Sequence, residues 1–156
     1  MPRRSPRTSP HGFTLLELLV VVSLIALSTA AVSLALRDSD TQALEREAQR
    51  LVALLEAGRV QSRLQGVAVG WEPTATGFRF TGVPPTQGTP DALDQPRTWL
   101  SPGLSARVTE PTNAQGLALG PEPLIGAQRL LLQQGDARLW IATDGLGAFV
   151  WQREAP

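Results

Sequence analysis

Apolar residues along the chain follow three successive rhythms, and each predicts a different element. From Phe13 to Leu36 they run almost unbroken: 24 positions carry one charge, Glu17. At the α-helical rise this segment spans roughly 36 Å, enough for a hydrocarbon core of about 30 Å. From residue 37 the run gives way to helical spacing without a break, because no proline occurs between Pro10 and Pro73. In TQALEREAQRLVALLEAGRVQSRLQG, Leu44, Ala48, Leu51 and Leu55 make one seam, and Ala53, Ala57, Val60 and Leu64 make a second. At 100° per residue the two seams lie on opposite sides of the helix. The first is nearer the apolar run and the second nearer the rest of the chain. This reads either as a helix with two partners, one of them the chain's own C-terminal domain, or as one broad face of a core helix. Gly66 is the predicted stop, so the helix from Phe13 to Gln65 would reach about 80 Å.

After Val67 the rhythm becomes that of strands. VAVGWE puts Val67, Val69 and Trp71 on one face, and GFRFTG does the same for Phe78 and Phe80, which predicts a hairpin. Residues 84–96 and 109–128, rich in proline and glycine, read as loops on either side of a strand at 104–108. RLLLQQ, RLWIAT and AFVWQ come next, separated by Gly135-Asp136 and Asp144-Gly145, both turn-forming pairs. An antiparallel meander is expected, with its apolar face covered by the end of the long helix. The fold class predicted is α+β: residues 1–12 a leader, 13–36 an apolar span, 37–66 its amphipathic continuation, and 67–156 a β-rich globular domain.

Composition narrows the chemistry. The chain has no Cys, no Lys and no Tyr, and His11 is the single histidine. Thiolate chemistry, Cys-bound zinc, disulfides, Lys Schiff bases and P-loops are thereby excluded. A Ser-His-Asp triad would need His11, which precedes the apolar run. Carboxylates remain, but no two are placed as an acid–base pair, so the chain is not read as an enzyme and no cofactor is expected. Asp136 and Asp144 have the look of calcium ligands only in isolation; EF-hand spacing is absent and turn formation accounts for both.

Formal net charge is zero, but Arg3, Arg4 and Arg7 crowd the first twelve residues. Beyond them 11 Arg face 14 acids, a net of −3, which does not favour nucleic-acid binding. The positive-inside rule keeps the arginine-rich end cytoplasmic and exports the chain beyond residue 37. On the helix, Glu47-Arg50 and Glu56-Arg59 have i,i+3 spacing, and the remaining charges read as a solvated face. Trp71, Trp140 and Trp151 sit in alternating strands and are expected in the core, with Trp99, beside the long loop, the candidate for an exposed contact.

Glu17 needs a reason to stand inside an apolar run. A secretory signal peptide fits the basic start, but the run is too long and has no clear A-x-A-like end. A plain single-span anchor gives the carboxylate no task beyond reaching one interface. The stretch GFTLLE, residues 12–17, resembles the type IV prepilin signature, in which a short basic leader ends in Gly and Glu is the fifth residue after it. That resemblance implies cleavage by a prepilin peptidase between Gly12 and Phe13, N-methylation of Phe13, and a role in assembly for Glu17. In a filament the Glu17 carboxylate would pair with the Phe13 ammonium of a neighbouring subunit.

Downstream, the order helix, VAVGWE strand, GFRF strand, loop and final RLWIATDGLGAFVW hairpin resembles the GspH/FimT group of pilin-like proteins. Within that group the lack of cysteines and of an arginine cluster points to the minor pseudopilin of type II secretion, with a FimT-like minor pilin of a type IV pilus or DNA-uptake machine as the alternative. The resemblance implies other major and minor pseudopilins, an inner-membrane assembly platform and secreted proteins as partners. It also implies a periplasmic C-terminal domain.

Overall fold

The computed structural model describes residues 13–85 and 92–154, and the side chains of 33–38 fall outside that description. The predicted leader, Gly12 included, and residues 86–91 of the predicted 84–96 loop also lie outside it. The chain divides into two compact units between Leu36 and Arg37.

In the first unit helix α1 (Leu15–Gln65) begins. Its portion Leu15–Val32 is long and apolar enough to cross a membrane, and none of it is buried. Three hydroxyls in this portion bond back to carbonyls four residues earlier: Ser23 to Leu19, Ser28 to Leu24 and Thr29 to Ile25, each at 2.8 Å. Such back-bonding satisfies a hydroxyl within its own helix, as an apolar solvent demands.

The second unit is built on the rest of α1. Leu44, Ala48, Leu51 and Leu55 are buried beneath the β-strands, whereas Ala53, Ala57, Val60 and Leu64 are exposed. The seam nearer the apolar run is therefore the one that meets the chain's own domain. The reason is size: three leucines bury more apolar surface than two alanines, a valine and a leucine, at roughly 25 cal/mol per Å2. The helix stops where predicted. Gly66 adopts φ +66° and Val67 N donates to Ser62 O at 3.3 Å, the 6→1 bond of a Schellman end.

Among the described residues, eight strands form two antiparallel sheets. One has the order β3 (Arg97–Thr98), β2 (Gly77–Thr81), β1 (Gly70–Thr74), β5 (Leu117–Ala118). The other has the order β4 (Ser105–Glu110), β6 (Gln128–Gln134), β7 (Ala137–Thr143), β8 (Val150–Gln152). The β1–β2 hairpin, β4 and the closing β6–β7–β8 meander match the periodicity. The strands divide into two sheets rather than one, and β5, within the segment read as loop, joins the hairpin sheet by pairing with β1. The side chain of buried Gln128 closes the free edge of β5: its amide donates to Ala118 O at 2.8 Å and accepts from Ala118 N at 2.7 Å. One glutamine thus imitates a missing strand and ties the two sheets together.

The core lies between α1 and both sheets. Phe78 is its aromatic centre, 5.1 Å from Trp99, 6.0 Å from Trp71 and 6.1 Å from Phe80 between ring centroids. Trp99 is only 8% exposed, which corrects its reading as a surface contact: the chain turns back after β3 and inserts the indole beside Phe78. Trp140 departs from the core expectation in the other direction. It lies on the outer face of its sheet and is half-buried, because Leu139 and Ile141 take the inward positions of β7.

Candidate functional site

At the amino-terminal end, Phe13 is exposed and precedes the helix, and Thr14 caps it. Thr14 Oγ1 accepts from Glu17 N at 3.2 Å, which places Glu17 at the third helical position of a T-x-x-E capping sequence. This first turn leaves amide donors unpaired and carries the positive end of the helix dipole, so a carboxylate is favoured there. The side chain of Glu17 is exposed and has no partner among the described residues. The geometry thus supplies a charge that is tolerated locally and left available externally. The T-x-x-E spacing is legible in the sequence as a helix start, an aspect of Glu17 that its reading as an assembly residue passes over.

A second polar array runs along α1 where it meets the domain. Glu47 is fully buried: Oε1 accepts from Arg50 at 3.1 Å and Oε2 from Leu100 N at 2.8 Å. Arg50 also donates to Thr98 O at 3.2 Å and stacks over the Phe78 ring. Glu56 accepts from Arg59 at 3.2 Å and from Phe149 N at 2.9 Å. Arg59 is buried and donates to Gly147 O at 2.7 Å, while Arg63 reaches Pro123 O at 3.3 Å. Glu45 accepts from Arg153 Nε at 3.0 Å.

Both i,i+3 pairs form as their spacing predicts. The solvated face expected for the remaining charges forms only in part: Arg46 is exposed, but Glu45 and Arg63 engage Arg153 and Pro123 O. Opposite charges four or fewer residues apart are visible in a sequence; the distant loop group that completes each pair is not.

Asp144 closes its own turn. Its Oδ1 accepts from Leu146 N at 2.9 Å and Gly147 N at 2.8 Å. These backbone donors, Gly147 first, hold the carboxyl below its ordinary value of 3.8. Gly145 has φ +89°, and a Cβ there would stand 1.7 Å from Ile125 O. Asp144 is therefore a turn residue, and no group of three or more metal-ligating side chains occurs among the described residues.

The prokaryotic N-terminal methylation motif matches residues 7–33. Two crystal forms of the type IV minor pilin FimU of Pseudomonas aeruginosa share the fold, each at 16% identity. One aligns over 72% of this chain and 88% of FimU with a TM-score of 0.50, and the other over 70% and 92% with 0.51. The fold is that of a type IV pilin. No curated protein sequence matches the chain. A pilin-type signal, an apolar helix of spanning length and an antiparallel sheet domain together make this a membrane-anchored, pilin-like chain.

Proposed function

We propose that the chain is a minor subunit of a pilin-like filament, cut by prepilin peptidase between Gly12 and Phe13 and N-methylated on Phe13. The observation that carries this reading is the capped, exposed Glu17 four residues after Phe13, within the methylation motif. Cleavage creates an ammonium at the depth of the carboxylate. An unpaired charge in lipid costs a few kcal/mol or more, so pairing Glu17 of one subunit with Phe13 of the next draws the subunit from membrane into filament and sets its axial step. The exposed Ala53–Leu64 seam gives a neighbouring helix a further apolar surface. Orientation comes from Arg3, Arg4 and Arg7: amino terminus cytoplasmic, sheet domain periplasmic.

The filament is assigned to type II secretion, the chain acting as a pseudopilin near the tip in the export of folded proteins. The cysteine-free closing hairpin around Asp144-Gly145 supports this. A second reading, a minor pilin of a type IV pilus, is favoured by the likeness to FimU. The test is co-purification of the C-terminally tagged chain from native membranes, with mass spectrometry of its amino terminus. N-methyl-Phe13 with secretion pseudopilins supports the first reading, and with pilus subunits the second. Intact Met1 without pilin-like partners refutes both.

A further inference from the structure

The outer face of the β4–β6–β7–β8 sheet carries a charge surplus that the fold does not use. Register places Arg107, Leu131, Trp140 and Gln152 in one cross-strand row. A second row holds Arg129 and Ala142, with Val150 beyond them, and a third holds Ser105, Gln133 and Arg138. Three guanidinium groups therefore surround an indole and a leucine. One carboxylate answers them, Glu110, 3.4 Å from Arg129. Arg107 and Arg138 are exposed and have no carboxylate partner among the described residues. Asp136 stands in the turn at the end of the hairpin, off these rows.

The face is also shaped. Ser105, Ala106, Arg107, Leu131 and Gln133 line an open hollow of about 260 Å3, with the buried Leu131 at its floor. Hydroxyl, guanidinium and amide donors rim that floor. Arg129 Nε beside it is buried without a hydrogen-bond partner. Donors around this hollow, with cations left over, match a carboxylate-bearing side chain whose apolar neighbour lies on the half-buried Trp140.

We infer that this sheet face is a docking surface for an acidic, partly apolar segment of a partner protein, with a carboxylate seated at Arg107 and an apolar side chain on Trp140. A protein fits better than a nucleic acid. A phosphate backbone rewards a long track of cations by counterion release, and two unpaired arginines around one hollow form no such track. The inference does not depend on which filament the chain joins.

The test is site-specific photo-cross-linking. A benzoylphenylalanine replaces Gln152, at the end of the Trp140 row, in the full-length chain in native membranes, and the cross-linked peptide is mapped by mass spectrometry. The expected result is one dominant adduct whose mapped peptide carries more acids than bases. Its yield should fall by about tenfold in an Arg107→Gln/Arg138→Gln variant, as the loss of two rim ion pairs implies. It should not change in Arg46→Gln, on the exposed helix. Thermal melting of the double variant close to that of the parent keeps the comparison valid, since both substitutions are exposed. An adduct that survives the double substitution, a mapped segment without acidic excess, a nuclease-sensitive adduct, or no dominant adduct overturns the inference.

Discussion

Glu47 offers the sharpest test of how α1 holds its domain. Replacing it with Ala removes two hydrogen bonds to a fully buried carboxylate, from Arg50 and from Leu100 N. A hydrogen bond involving a charged group contributes about 1.5–3 kcal/mol, and breaking a buried ion pair costs about 3–5 kcal/mol when the surviving charge is stranded. Arg50 is not stranded: its side chain is 27% exposed and keeps Thr98 O. The loss should therefore fall near the bottom of these ranges, about 2–3 kcal/mol, or a fall in Tm of roughly 6–12 °C for a domain of this size. Glu47→Gln keeps an acceptor for Leu100 N but sets an NH2 where Oε1 accepts from Arg50, losing that hydrogen bond together with the charge, so it should cost about 1.5 kcal/mol. The assay is urea or thermal unfolding of the detergent-solubilised chain followed by tryptophan fluorescence. Trp99, next to Leu100 and packed on Phe78, reports on the affected loop. A loss below about 0.5 kcal/mol for Glu47→Ala, or a Gln variant as damaged as the Ala variant, would refute the claim that the buried pair clamps this loop.

Gly145→Ala should destabilise by several kcal/mol, because its Cβ would collide with Ile125 O, whereas Gly103→Ala, also at positive φ but with open space around it, should cost about 1 kcal/mol from backbone strain alone; parallel melts of the two separate collision from strain. Asp144 is depressed in the folded state, so its contribution is fully present above pH 3.8 and is lost as pH falls through its folded value. Parent and Asp144→Asn should therefore converge in stability at acid pH and differ at neutral pH, read from melts across roughly pH 2–7. Glu17→Ala should leave processing at Phe13 largely intact and reduce incorporation into filaments, measured by amino-terminal mass spectrometry and by the sheared-filament fraction; normal incorporation would refute the pairing of Glu17 with a neighbouring amino terminus.

Legibility tracked the range of the interactions. The helix stop at Gly66, the Thr74–Gly77 hairpin and the Gly135-Asp136 turn are settled within a few residues, where dihedral preferences dominate, and periodicity exposed them. The Glu47-Arg50 and Glu56-Arg59 pairs are visible for the same reason. Their second partners, Leu100 N, Gly147 O and Phe149 N, were not, because backbone donors and acceptors carry no residue code. Trp99 was misplaced because proximity to a loop says nothing about where the returning chain inserts its ring. β5 was missed because two residues of strand lie below the length at which alternation can be read.

By itself the sequence determined a membrane-grade helix, a single acid at its start within a methylation motif, and a strand-rich remainder without cysteine, lysine or histidine. These are properties of composition, spacing and local geometry. Tertiary structure alone decided which helical seam the domain covers, how the Gln128 side chain bridges the two sheets, and which row of charges is consumed and which left over. Each of those outcomes depends on burial summed over segments distant in the chain. That sum sent the leucines inward and left Arg107, Arg138 and Trp140 on the outer face.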